Sequence, residues 1–139
     1  MKRTGARKSI TPLTVSGGFR AFVIDQLEEL GDVTARSMFG GVGLYRGGLF
    51  FGIIAGDVLY LKADDQTRGE FEAIGARPFK PYAHRSGTMK YYSVPATILE
   101  SPSELAMWAR KAVAAAERAA AGSQDRRRQS AKIRVSSQK

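Results

Sequence analysis

Between Val42 and Lys62 apolar residues recur with a period of two, and the run is broken twice by the pairs Gly47-Gly48 and Gly56-Asp57. That pattern predicts three short strands joined by two-residue primed turns, which need positive φ at their central positions. The first turn pairs Arg46 with Leu49, Leu44 with Phe51 and Val42 with Ile53; the second pairs Ala55 with Val58, Ile53 with Tyr60 and Phe51 with Lys62. Upstream, Phe19, Val23, Leu27 and Leu30 follow helical spacing behind a capping Ser16, and Gly31 ends that helix. Residues 33–39 read as a short strand or an extended lead-in. Downstream, Asp64 opens a short helix with Thr67, Phe71 and Ile74 on one face, and Gly75 closes it. Pro78 and Pro81 bracket Phe79 in an extended segment that belongs at a sheet edge or a bulge, because proline cannot donate a ladder hydrogen bond. A turn at Arg85-Ser86-Gly87 leads into a strand over 88–94, which Pro95 stops. Ser101-Pro102-Ser103-Glu104 is a capping box with proline at the first helical position. Leu105, Trp108, Ala109, Ala112, Val113 and Ala116 then form an apolar stripe that runs to about Ala121.

The predicted order is helix, three strands, helix, two strands, helix. It implies a two-layer α+β fold with an antiparallel sheet of about five strands and three helices. Residues 1–15 read as a basic N-terminal arm, 16–121 as the folded domain and 122–139 as a basic disordered tail. With regular registers, one sheet face presents Val42, Leu44, Leu49, Phe51, Ile53, Ala55, Val58 and Tyr60. The other presents Tyr45, Phe50, Ile54, Leu59 and Leu61. Three helices cover one face, so the second set is expected to form a dimer face or a docking surface. A bulge would change this by moving one set to the core side.

Charge sharpens the picture. The formal net charge is +9, yet residues 1–15 hold four basic and no acidic groups, and 122–139 hold six basic groups against Asp125. Residues 16–121 are therefore neutral, and the excess lies at the two ends. This argues against an extended DNA-reading face on the domain. It fits two basic arms, with Arg126, Arg127, Arg128, Lys132 and Arg134 as phosphate-contacting candidates or as a solubilising tail. The chain lacks cysteine, which excludes disulfides, thiolate metal sites and thiol nucleophiles and fits a cytoplasmic location. No apolar run approaches the roughly 20 residues of a membrane span.

Catalytic chemistry finds little purchase. The glycines at 40, 41, 43, 47 and 48 are followed by a strand, whereas a nucleotide-binding loop needs a helix there. His84 is the only histidine, Asp64 and Asp65 suit a helix start, and Ser37 and Ser86 lack a nucleophile-elbow context. The expectation is a non-enzymatic protein without cofactor or metal. Arg36 either binds a partner carboxylate or holds its loop by an ion pair. Tyr60, Lys62, Lys90 and Tyr92 form either an aromatic and basic patch for single-stranded nucleic acid or cross-strand pairs with lysine stems over rings.

Arg36, Met38-Phe39-Gly40-Gly41, Gly43, Tyr45 and Gly48 are followed in order by Leu59-Tyr60-Leu61-Lys62, Phe71, Gly75 and Phe79. Met89, Tyr91-Tyr92, Val94-Pro95 and Trp108-Ala109 complete the series. Together these resemble the N-terminal domain of the TfoX/Sxy family, bacterial proteins associated with natural competence, over residues 36–121. The resemblance implies an α+β domain similar to type III secretion chaperones. It also implies a regulatory role in transcription through protein contacts, with a transcription factor or RNA polymerase as partner and no catalytic residues. Its motif residues Arg36, Met38, Phe39, Gly40, Gly41, Tyr60, Lys62, Tyr91 and Tyr92 are the interaction candidates. Two departures stand out: a basic tail replaces the family's second, helical C-terminal domain, and Tyr92 stands where tryptophan is frequent. The expected protein is thus a cytoplasmic, homodimeric regulatory module with weak non-specific DNA affinity. The alternative is a chaperone-like adaptor without a role at DNA.

Overall fold

The computed structural model describes residues 16–38, 40–79 and 90–137, the last of these by backbone alone from residue 124. The elements are α1 (Gly17–Gln26), β1 (Val33–Met38), β2 (Gly41–Arg46), β3 (Leu49–Ala55), β4 (Val58–Lys62), α2 (Arg68–Ala73), β5 (Tyr91–Ser93), α3 (Ala96–Leu99) and α4 (Pro102–Ser137). The strands form one antiparallel sheet in the order β1-β2-β3-β4-β5, so the α+β class stands. Of the two readings of residues 33–39, the strand is the one present, as β1. The inventory differs from expectation in two places: α3 follows Pro95, and α4 continues through Gly122 to Ser137. A glycine inside a helix costs about 1 kcal/mol relative to alanine, a penalty too small to end a helix by itself. The backbone beyond Gly122 is helical where a disordered tail was expected.

Local signals explain most boundaries. The Ser16 hydroxyl accepts from Phe19 N–H at 3.1 Å and caps α1. The Ser101 hydroxyl accepts from Glu104 N–H at 3.4 Å at the start of α4. Gly47 and Gly48 have φ of 56° and 81°, the geometry that a two-residue hairpin demands. At the far edge Pro78 bridges Tyr92, and Phe79 N–H donates to the Tyr91 carbonyl at 2.8 Å. Proline at an edge was expected, and here it replaces a regular strand with a single bridge.

The register of β2 on β3 carries the main correction. Arg46 pairs with Leu49, but a bulge next to Leu44 and Tyr45 sets Leu44 opposite Gly52 and Val42 opposite Ile54. The β3–β4 pairs Ala55 with Val58 and Ile53 with Tyr60 follow expectation. Phe51 and Ile54 are both fully buried among the helices. Residues three apart cannot share a face of a regular strand, so the bulge is what lets both enter one core. Gly52 helps, since a Cβ there would stand 3.3 Å from Leu44 Cδ1 and 3.2 Å from the Tyr60 carbonyl oxygen. All four helices contribute to that core through Val23, Leu27, Phe71, Ile98, Leu105 and Trp108. Ile54, Leu59 and Leu61 belong to it as well, and are not part of an exposed dimer face. Ile53 and Ala55 move the other way.

Candidate interaction face

The sheet face turned away from the helices carries a second apolar cluster. Ile53, Ala55 and Tyr91 are buried at its base, with Phe50, Tyr60 and Phe79 packed against them. Tyr45 and Phe50 lie on this face as expected, and their rings stack with centroids 5.1 Å apart. Phe50 in turn meets Tyr91 at 5.5 Å, and Tyr60 meets Phe79 at 4.6 Å. Two cations lie against rings of the row: the Arg36 guanidinium is 5.8 Å from the Tyr45 ring centroid, and Lys62 Nζ is 5.2 Å from that of Tyr91. The result is a chain of side-chain contacts from Arg36 through Tyr45 and Phe50 to Tyr91, with Lys62 on β4 lying between the strands of Phe50 and Tyr91, and with Tyr60 and Phe79 beside it.

Gly43 makes the convergence sterically feasible. A Cβ at that position would stand 2.7 Å from Met38 Cε, 3.1 Å from Phe50 Cε1 and 3.2 Å from Tyr45 Cε1. The missing side chain is a socket into which three neighbours lean. Burial disfavours ionisation of the phenols on this face. Burial, with the nearby Tyr45 second, pushes the Tyr91 hydroxyl up to about 12, and burial also raises Tyr60. These groups stay protonated at neutral pH, so the face offers aromatic surface, hydroxyl hydrogen bonds and two cations.

The sequence candidates divide on this geometry. Arg36, Met38, Tyr45, Phe50, Tyr60, Lys62 and Tyr91 share the open face or its rim. Tyr92 does not: it is buried on the helix side, donates its hydroxyl to Glu72 Oε2 at 3.1 Å and stacks on Phe71 at 5.9 Å. The aromatic and basic patch is therefore built with Tyr91 in place of Tyr92. Lys62 lies over the ring of Tyr91, its directly paired cross-strand neighbour, so the cross-strand arrangement is the one present. Gly40, with φ of 80°, and Gly41 shape the turn from β1 into β2. Phe39, His84 and the Arg85-Ser86-Gly87 turn lie outside the described residues. Arg126, Arg127, Arg128, Lys132 and Arg134 fall on the distal part of α4. Sequence reasoning placed Phe79 only in an extended segment; its partnership with Tyr60 depends on the bridge at Pro78.

A polar cleft of about 480 Å³ opens at the end of β4, lined by Lys62, Asp64, Asp65, Lys90 and Arg118 among others. Two of its lining residues are joined, Arg118 donating to both Asp64 carboxylate oxygens at 2.6 and 3.1 Å. Among the described residues no group of three or more His, Asp or Glu side chains gathers as a metal site would.

The family model for the TfoX N-terminal domain matches residues 25–116, which span the sheet and the first half of α4. The chain belongs to this family. Among characterised relatives, it is similar to the DNA transformation protein TfoX1 of Aliivibrio fischeri (strain ATCC 700601 / ES114), with 30% identity over 80 residues. That match covers 57% of this chain and 38% of the relative, so this TfoX-family chain spans well under half of the protein it resembles. Among the described residues no helix is long and apolar enough to cross a membrane.

Proposed function

We propose that this TfoX-family domain is a non-enzymatic regulatory module of DNA transformation competence that works by binding another protein on its open sheet face. The observation that carries the reading is the aromatic row with two cations against its rings, Arg36 beside Tyr45 and Lys62 beside Tyr91. Aromatic and arginine side chains with stationary rings lose little freedom on binding and dominate the energetics of protein contacts. Tyrosines held protonated serve that purpose and cannot act as bases near neutral pH. The apolar area free for a partner is narrower than the sequence implied, because Ile54, Leu59 and Leu61 are spent on the core. It consists of ring edges rather than an aliphatic slab, which suits a regulated contact better than a permanent one.

The partner in this reading is a transcription factor or RNA polymerase, and the basic end of α4 adds sequence-independent affinity for DNA. The test is uptake and integration of a marked DNA fragment in the host, with the gene deleted and then restored as wild type or as a Tyr60→Ser/Lys62→Glu variant. The reading expects a deletion defect that wild type repairs and the variant does not. Normal transformation in the deletion strain overturns it.

A further inference from the structure

β1 is the outer strand of the sheet, paired on one side with β2 and, among the described residues, with no other strand. The opposite edge is handled differently, since the bridge at Pro78 offers no N–H to a further strand. Of the devices that usually blunt an edge, β1 has no proline and no bulge, and Arg36 is its one charged side chain. Its guard is Arg20 of α1, whose guanidinium donates to the Ser37 hydroxyl at 3.2 Å and to the Ala35 carbonyl at 3.4 Å. Both bonds are long. The second also reveals orientation: the Ala35 carbonyl points outward, and backbone groups alternate sides along an antiparallel strand. Val33, Ala35 and Ser37 therefore present N–H and C=O groups to the open edge. On the sheet's other face, Arg36 stands exposed beside Tyr45. One guanidinium thus flanks the edge on each face.

We infer that β1 accepts an extended peptide of another protein as an added strand, and that this peptide carries two adjacent acidic residues, one for Arg20 and the next for Arg36. Successive side chains of a strand point to opposite faces, so neighbouring carboxylates reach one guanidinium each. The incoming backbone replaces the long Arg20 bond to Ala35 with ladder bonds, and Arg20 turns to a carboxylate. A second copy of this chain fits poorly, since it would bring its own Arg20 and Arg36 against these two. The chain's own ends, residues 1–15 and 122–139, are basic and carry the wrong sign. The inference rests on the protein-binding reading above and names the chemistry of the partner.

The probe is a short blocked peptide of valine and threonine around a central Glu-Asp pair, titrated into the full chain by fluorescence anisotropy and amide exchange. A Gln-Asn version serves as control. The expected result is saturable binding of the acidic peptide and slowed exchange at Val33, Ala35 and Ser37. Arg36→Gln and Ser37→Pro should each weaken binding by about tenfold, the scale of one charge-assisted bond or one lost ladder contact. Ser37→Pro removes an outward N–H and the hydroxyl that Arg20 bonds, and leaves the bonds to β2 intact. Equal binding of both peptides, or binding without protection of those amides, overturns the inference. So does a dimer in sedimentation that Ser37→Pro dissolves, or an oligothymidine that displaces the peptide. If the peptide is ignored while the Tyr60→Ser/Lys62→Glu variant still fails in transformation, strand addition falls and the open-face reading survives.

Discussion

Arg118 of α4 grips Asp64 with two hydrogen bonds, at 2.6 Å to Oδ2 and 3.1 Å to Oδ1, joining the long helix to the end of β4. Asp64 Oδ1 also accepts from the backbone N–H groups of Gln66 and Thr67, at 3.1 and 3.3 Å. One carboxylate therefore both caps the turn into α2 and anchors α4. The Arg118 hydrogen bond is the largest influence holding the Asp64 carboxyl below its usual range, and the two backbone donors add to it.

Replacing Asp64 by alanine should cost about 1 kcal/mol near neutral pH from the lost turn bonds alone, read as a lower midpoint in urea. A carboxylate whose folded pKa is depressed contributes stability that is present above its unfolded pKa, about 3.9, and lost as pH falls through the folded value. The gap between wild type and Asp64→Ala should therefore shrink as pH drops below about 4, where the wild type surrenders the same contribution. A gap that is constant from pH 7 to pH 3 would contradict this assignment.

Two glycines of β2 should respond unequally to alanine. At Gly41 a Cβ would stand 2.7 Å from the Ile54 carbonyl oxygen, which is backbone held in the sheet. At Gly43 the 2.7 Å neighbour is Met38 Cε, the far end of a flexible side chain. Gly41→Ala should cost about 1–3 kcal/mol, in the range of forced overpacking, and Gly43→Ala should cost less. Gly43→Ala should instead disturb the Tyr45–Phe50 stack, visible in near-ultraviolet circular dichroism. Equal unfolding midpoints for the two variants would count against the backbone clash.

The hairpin turns, the capping serines and the apolar stripe of α4 were legible because each depends on local chemistry within a few residues. The open face was legible only in part. Tyr45 and Phe50 were placed correctly since they lie beside the turn, before the bulge acts. Past the bulge, every side chain of β3 and β4 changes sides relative to β2, and so Ile54 and Ile53 were exchanged. The sequence carries the signal: Phe51, Ile53, Ile54 and Ala55 contain more apolar groups than one strict alternation can sort. Tyr91 and Tyr92 were not separable without knowing which of them pairs with Lys62. The end of α4 was misread because Gly122 resembles a helix stop, yet nothing nearby, such as a following proline, enforces one.

Tyr91 should be the last phenol to ionise. Burial pushes it up to about 12, while an exposed tyrosine titrates near 10. A raised phenol pKa means that the folded state favours the neutral form. Its contribution is complete below about 10 and is lost as pH rises from there toward about 12. In absorbance titration near the phenolate band, Tyr91→Phe should remove the highest-pH step, and the variant should lose less stability than wild type across that window. Persistence of the late step in Tyr91→Phe would reassign it to Tyr60 or Tyr92, whose hydroxyls burial also raises.

The basic end of α4 makes a prediction separable from everything on the sheet. Arg126, Arg127, Arg128, Lys132 and Arg134 lie on a helix whose last buried residue, among those whose side chains are described, is Ala116, so truncation after Ala121 keeps the apolar stripe from Leu105 to Ala116. If these five side chains meet phosphates, each releases close to one counterion, and the log–log slope of DNA affinity against salt falls by about 4 to 5 on truncation. Residues 16–121 carry no net charge, so the slope that is left reports the four basic groups of residues 1–15 and any cations of the domain that reach phosphate. A gel-shift salt titration of both chains on one duplex measures the difference directly. An unchanged slope would mean that these charges keep the protein soluble and do not hold DNA. Loss of affinity together with loss of the unfolding transition would instead mean that the distal helix is structural.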